Sequence, residues 1–360
     1  MKLLYATSVS YPSTLANRLQ IAAMAKEFAK LLGTQFVLGV YAASDLDPSV
    51  SVREMGRSVP GFILAWRYVL LIRKERFTHV LIREERLLFF LALYARLLRI
   101  PVLFFLESHW IRDDWRYVQG VRAAHAYIAI STGIRDDLIS HFGISPERIL
   151  IAHDAVDLDR FRPVVDRIVL RQELGFPPDA VVIAYAGSFG HHHPWKGIDV
   201  LADSAQYGRP EWLYVLVGGS SHEVGELQQH YKNPAIRFEA HRNAADIPHL
   251  LMAADVLVLP NKKGKEISER HTSPLKLFEY MASSTPIIAS DLPSIRDIVS
   301  PEEVVFFEPN NPQALAQAIE EVCGNPEAAR ARASQALAKV SQQPWAVRAK
   351  SILAFMEAQT

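Results

Sequence analysis

The chain has 360 residues, 49% of them apolar, with 39 Lys and Arg balanced by 39 Asp and Glu. At this length two hydrophobic cores are the default, and a net charge of zero excludes a general attraction to nucleic acid or another polyanion. A single cysteine, Cys323, rules out an intramolecular disulfide and fits a reducing, cytoplasmic compartment.

Short β-branched or aromatic runs alternate with helical-length segments, the pattern of parallel sheets covered by helices. The opening run, 2–7, reads as a strand and not as a signal peptide, because its apolar stretch ends within a few residues. Further strands are expected at 35–42, 79–82, 101–107, 126–131 and 148–153, with helices at 16–32, 60–75, 86–98 and 132–142. The most apolar window, 87–106, is interrupted by Arg96, Arg99 and Pro101, so it reads as a buried helix and strand and not as a membrane span. Charges and a proline break the alternation at 154–167. The expected domains are therefore 1–163 and 164–343, with a final helix over 344–360 packing back on the first.

In the second half the expected strands are 181–187, 212–219, 236–240, 255–260, 286–290 and 304–308. The helices between and after them fall at 197–206, 222–231, 244–253, 274–283, 293–299, 312–324, 326–341 and 344–358. The fold class is α/β, with two Rossmann-like doubly wound domains facing across a cleft, where the carboxyl ends of such sheets bind ligands.

The sharpest local signal is HTSPLKLFEYMA, 271–282. Ser273 suits an N-cap and Pro274 the first helical position, so Lys276 falls in the first turn, where the helix dipole disfavours a cation by roughly 0.3–1 kcal/mol. An anion at that helix start removes the conflict. Lys196 follows the strand at 181–187 through a short loop and supplies a second cation at the same sheet edge, which suits a diphosphate. Glu279 lies one turn further on and has the chemistry to accept hydrogen bonds from a diol such as a ribose.

The run SPLKLFEYMASSTPIIASDLPSIRDIV, 273–299, resembles the nucleotide-sugar motif of family 4 glycosyltransferases, retaining enzymes of the GT-B fold. ILIAHDAVDLDRFRP (149–163), AGSFGHHHPWKGIDVL (186–201) and IPHLLMAADVLVLP (247–260) are similar to other parts of that family, in its order. The resemblance implies that Lys196 holds the diphosphate in a loop containing Gly187 and Ser188, while the backbone of Ser273, Pro274 and Leu275, with Lys276, closes on the distal phosphate. It further implies that Glu279 binds the ribose, that Arg242 lies near the base, and that His109, after the fourth expected strand, faces the donor sugar. Transfer would retain anomeric configuration with no metal and no other cofactor, because lysine and helix dipole take the charge of the leaving diphosphate. The implied partners are a UDP-, GDP- or dTDP-sugar and a glycan, lipid-linked or small-molecule hydroxyl acceptor.

Three departures from the family pattern stand out. His271 occupies the place of the first motif glutamate and is a candidate for contact with the sugar, Ser188 replaces a usual arginine, and 8–18 has no glycine. His191, His192 and His193 are adjacent, and adjacent loop side chains diverge, so they read as a rim of the phosphate loop and not as a metal site. Between 50 and 122, thirteen Lys or Arg stand against seven Asp or Glu, interleaved with aromatic residues. That pattern suits peripheral contact with the inner face of a membrane. Two alternatives share the fold: a nucleotide-sugar epimerase using Glu107, His109 and His271 as acid/base groups, and a catalytically silent scaffold.

Overall fold

The computed structural model describes residues 1–13, 16–112, 114–162, 166–189 and 194–360. The chain divides into two compact units, Met1–Asp154 with Trp345–Thr360, and Ala155–Pro344. The division falls at 154/155 and not at 163/164, because Val156 and Phe161 pack in the second unit's core and Val156 forms a parallel bridge with Pro344.

The first unit runs β1 (Leu3–Ala6), α1 (Ala16–Leu32), β2 (Phe36–Val40), β3 (Val52–Glu54), α2 (Gly61–Glu75), β4 (His79–Ile82), α3 (Glu85–Leu97), β5 (Leu103–Ser108), α4 (Trp115–Ala123), β6 (Ala126–Ala129), α5 (Thr132–Phe142) and β7 (Ile149–Ile151). Its seven strands are parallel in the order β3-β2-β1-β4-β5-β6-β7. Helices α2 to α5 cover one face around Tyr68, Leu91, Tyr117 and Leu138, while α1 covers the other around Phe28 and Met24.

The second unit runs α6 (Arg167–Glu173), β8 (Val181–Ala186), α7 (Ile198–Ser204), β9 (Trp212–Gly219), α8 (Ser221–His230), β10 (Ile236–Ala240), α9 (Ile247–Ala253), β11 (Val256–Leu259), α10 (Glu266–Glu269), α11 (Leu275–Ala282), β12 (Ile287–Ser290), α12 (Pro293–Arg296), β13 (Val305–Phe307), α13 (Pro312–Gly324) and α14 (Pro326–Val340). Its parallel sheet has the order β10-β9-β8-β11-β12-β13. The last helix, α15 (Trp345–Ala358), belongs to the first unit, where it packs on α1 through Ala349, Ile352 and Met356. Both units are thus Rossmann-like α/β domains.

Each sheet reverses its strand order once, between β1 and β4 in the first unit and between β8 and β11 in the second. Ligands of open α/β sheets bind outside the carboxyl ends of strands at such a reversal. The residues following β8 and β11 are therefore the ones to inspect.

Candidate active site

In the second unit the loop after β8 is anchored to the loop after β11. Gly197 has a φ of +72°, and a Cβ there would stand 1.8 Å from the Pro260 carbonyl oxygen, so only glycine permits this approach. The Lys262 N–H donates to the Trp195 carbonyl at 2.7 Å, fixing the turn that carries Lys196. Gly187, directly after β8, is also closely approached. A Cβ on it would fall 2.8 Å from Lys276 Nζ, and one on Gly218, at the end of β9, would fall 2.3 Å from the Gly187 carbonyl oxygen.

The two lysines converge on this strand end. Lys196 Nζ donates to Ser188 Oγ, and Lys276 Nζ donates to Tyr185 Oη at 2.6 Å while lying 4.2 Å from the centre of that ring. Burial pushes the Lys196 amine down to about 8, against a weaker opposing pull from Glu223. Burial also holds Lys276 well below the ordinary lysine range, and the charge of Lys196 lowers it further. Glu279 opposes that shift, but its carboxylate already accepts from Arg160 Nη1 at 2.7 Å. Two partly buried cations thus share one strand end with too little negative charge around them.

The helix expected at 274–283 is α11, and its start differs in detail. Pro274 stands at the N-cap position and makes no side-chain capping bond, and Ser273 is buried one residue earlier. The Leu277 N–H bonds to the Pro274 carbonyl at 2.9 Å, and Pro274 itself has no N–H. The donors left without an intrahelical partner are those of Leu275 and Lys276. Lys276 does lie in the first turn, where the dipole opposes its charge.

His271 follows α10 and is 4% exposed, its N–H bonded to the Glu266 carbonyl at 3.2 Å. Arg242 is turned onto Glu239, donating through Nε at 2.9 Å and Nη2 at 2.6 Å. His191, His192 and His193 lie outside the described residues.

In the first unit His109 follows β5, the fifth strand and not the fourth, because the short edge strand β3 precedes it. Arg83 donates from Nη2 to His109 Nε2, and a guanidinium can only donate, so the imidazole carries its proton on Nδ1. That Nδ1–H donates to the Glu107 carbonyl at 3.0 Å. Burial, joined by the charge of Arg83, lowers the His109 pKa to about 3 against the opposing Glu107 carboxylate. Glu107 is 1% exposed and accepts from Tyr5 Oη at 2.8 Å and from Arg348 Nη2 of α15 at 2.7 Å. Burial alone would raise its pKa, but Arg83 and Arg348 hold it well below the usual carboxylate range. Glu107 is thereby a buried structural anion and not a group that exchanges protons near neutral pH.

Sequence reasoning missed Tyr185, Arg160, Arg83, Arg348 and two unsatisfied side chains. Asn261, after β11, is 1% exposed and neither atom of its carboxamide is hydrogen-bonded. Glu84, after β4, accepts from Ser8 N at 3.1 Å and Ser8 Oγ at 2.9 Å through Oε1, while its buried Oε2 has no partner. Native structures seldom leave such atoms unpaired without a reason.

Comparison with known proteins matches residues 25–160 to the model described as Glycosyltransferase Family 4 and residues 180–325 to that of Glycosyl transferases group 1. The D-inositol 3-phosphate glycosyltransferase of Streptomyces bingchenggensis is 28% identical over 58% of this chain and 47% of its own length. The alpha-maltose-1-phosphate synthase of Mycolicibacterium smegmatis is 25% identical over 61% of this chain and 59% of its own. The chain spans about half the length of the curated relatives it matches first. Anabaena HepE, solved in complex with UDP, aligns over 99% of this chain and 100% of its own at a TM-score of 0.80 and 20% identity, and it has also been solved with UDP-glucose. The two models fall on the two units in order and the whole-chain likeness is one of fold: the chain belongs to the family 4 glycosyltransferases and has their GT-B type of fold.

Proposed function

We propose that the chain transfers a sugar from a nucleoside diphosphate to an acceptor hydroxyl, with retained anomeric configuration and without a metal. The observation that carries this reading is the pair Lys196 and Lys276, two cations brought to one strand end beside Ser188 and Tyr185, both lowered by burial and Lys276 also by the charge of Lys196. Such a pair is poorly balanced in the free protein and well balanced by a diphosphate, whose charge grows as the glycosidic bond breaks. The start of α11, which carries Lys276 in its first turn, adds backbone N–H donors. UDP is the favoured nucleotide, since the structural neighbour HepE has been solved with UDP and with UDP-glucose.

Within this reading Glu279, oriented by Arg160, accepts from the ribose hydroxyls, and the unbonded carboxamide of Asn261 serves the donor at the end of β11. His109, a neutral imidazole oriented by Arg83, is the first unit's candidate for a role in the transfer. Because Lys196 and Lys276 balance the leaving group, the departing phosphate oxygen can take the acceptor proton and no protein nucleophile is needed. The epimerase reading is disfavoured by Glu107, which is fully committed to arginines and a tyrosine.

A thermal-shift panel of UDP, GDP, dTDP and ADP, followed by NMR of the product anomer with the responding donor, tests the proposal. The expected result is stabilisation by UDP above the others and an axial or equatorial linkage matching that of the donor. Lys196→Ala should lower turnover by about 10²–10³, while His192→Ala stays close to wild type. Equal activity of the two variants would refute the lysine's role.

A further inference from the structure

The outer surface of α2, α3 and α4 has a character that the donor chemistry does not use. Helix α2 buries Leu64, Tyr68 and Ile72 against the sheet, yet Phe62, Trp66 and Leu70, spaced by four residues on another face, are each nearly half exposed. A helix apolar on both faces has a second apolar environment to meet. The neighbouring α3 repeats the pattern, burying Leu88, Leu91 and Ala95 while Leu93 is 42% and Leu97 69% exposed. On α4, Trp115 is 60% exposed.

These side chains form one surface, because α2 packs on α3 and α3 on α4. Aromatic contacts stitch it together: Phe62 with Phe90 at 6.2 Å between ring centres, Trp66 with Tyr94 at 5.5 Å, and Phe89 with Trp115 at 5.3 Å. Contiguous exposed apolar area of this kind marks an interaction site.

Charge decides what it meets. The three helices carry seven Lys or Arg against two Asp or Glu. Of the two acids, Glu75 is taken up by Arg53 and Lys2, and burial pushes the Glu85 carboxyl up to about 8. Arg73 and Lys74 close α2 and Arg96 stands in the last turn of α3, so basic groups rim the apolar rows, while Arg86 is paired at 2.7 Å with Asp114, the N-cap of α4. A symmetric contact with a second copy would set this basic surface against itself, a repulsion that disfavours self-association. A bilayer with anionic headgroups complements both parts, since Trp and Tyr suit the interfacial layer and Arg and Lys suit the phosphates. No described helix is long and apolar enough to cross a membrane, so such contact is peripheral.

We propose that the α2–α3–α4 face docks on an anionic lipid surface, with Phe62, Trp66, Leu93, Leu97 and Trp115 entering the interface. This goes beyond the transfer reaction and does not rest on it, because docking needs no nucleotide. The test is flotation of the full chain with phosphatidylcholine vesicles and with vesicles in which phosphatidylglycerol replaces part of the phosphatidylcholine. Binding is expected only to the second kind and should weaken with salt. Arg73→Glu with Lys74→Glu should reduce it by at least about five-fold per basic residue removed, and Trp66→Ser with Leu97→Ser should reduce it at constant charge. UDP binding by all variants should match wild type, which separates lost docking from lost folding. No partition onto anionic vesicles, equal partition onto both kinds, or indifference to the paired substitutions would overturn the proposal. So would a dimer in sedimentation that Trp66→Ser with Leu97→Ser dissolves.

Discussion

Raising the pH from 7 to 9 should strip diphosphate affinity from the free protein, because the group that supplies much of it titrates in that range. The Lys196 amine lies at about 8 in the free protein. A diphosphate charge about 4 Å away at an effective dielectric near 20 interacts by about 4 kcal/mol, enough to raise that pKa by about 3 units. The complex is therefore favoured below the free-state pKa, and affinity is lost as pH rises through about 8. From Lys196 alone the Kd should loosen about ten-fold between pH 7 and pH 9, with uptake of close to one proton per UDP at the upper end. Lys276 is also held well below the ordinary lysine range by burial and by Lys196, so its response to the diphosphate has the same sign. Calorimetry of UDP binding in buffers of different ionisation heats reads both quantities. Lys196→Arg, which stays charged throughout, should keep its affinity at pH 9, and titration of UDP itself is common to both proteins. A Kd that loosens equally in wild type and Lys196→Arg, or binding without proton uptake, would refute the reasoning.

Glu279→Ala should weaken UDP by roughly 1.5–3 kcal/mol and leave inorganic pyrophosphate unaffected, which calorimetry with the two ligands checks. An equal loss for both would move Glu279 from the ribose to the phosphates. Arg348→Met should leave Glu107 buried with one partner fewer and cost about 3–5 kcal/mol in a denaturant titration of the first unit. Because Glu107 is held below its usual range, its stabilisation is present above the ordinary carboxylate pKa and is lost as pH falls. The difference between wild type and Arg348→Met should therefore shrink in acid.

Long apolar runs made most of the fold legible. The strands at 212–219 and 236–240 and the helices at 16–32, 132–142 and 312–324 fall where periodicity puts them. Four elements carried no such signal, among them the single-turn α10. The strand β3 is a short edge strand of sequence VRE, and α6 begins inside the charged segment read as a boundary. Helix α4 contains Gly120, which reads as a breaker, yet a Cβ there would stand 1.9 Å from the Glu85 carbonyl oxygen, so the close packing of α4 on α3 demands it. In the site, Lys276 and Lys196 could be found because a cation opening a helix is a local contradiction. Their partners could not: Tyr185 lies 91 residues from Lys276, Arg160 119 from Glu279 and Arg348 241 from Glu107. Such pairings are made by sheet order and leave no pattern in neighbouring residues. The helix start differs by a smaller margin, since Ser273 is buried and the helix begins one residue later than expected.

The position of the diphosphate is the most direct measure of the central claim, and a crystal structure of the full chain with UDP would give it. The account predicts phosphate oxygens within about 2.7–3.2 Å of Lys196 Nζ, Lys276 Nζ and the Leu275 N–H, with the ribose on Glu279. A diphosphate bound elsewhere on the chain, with either ammonium turned from it, would contradict the account.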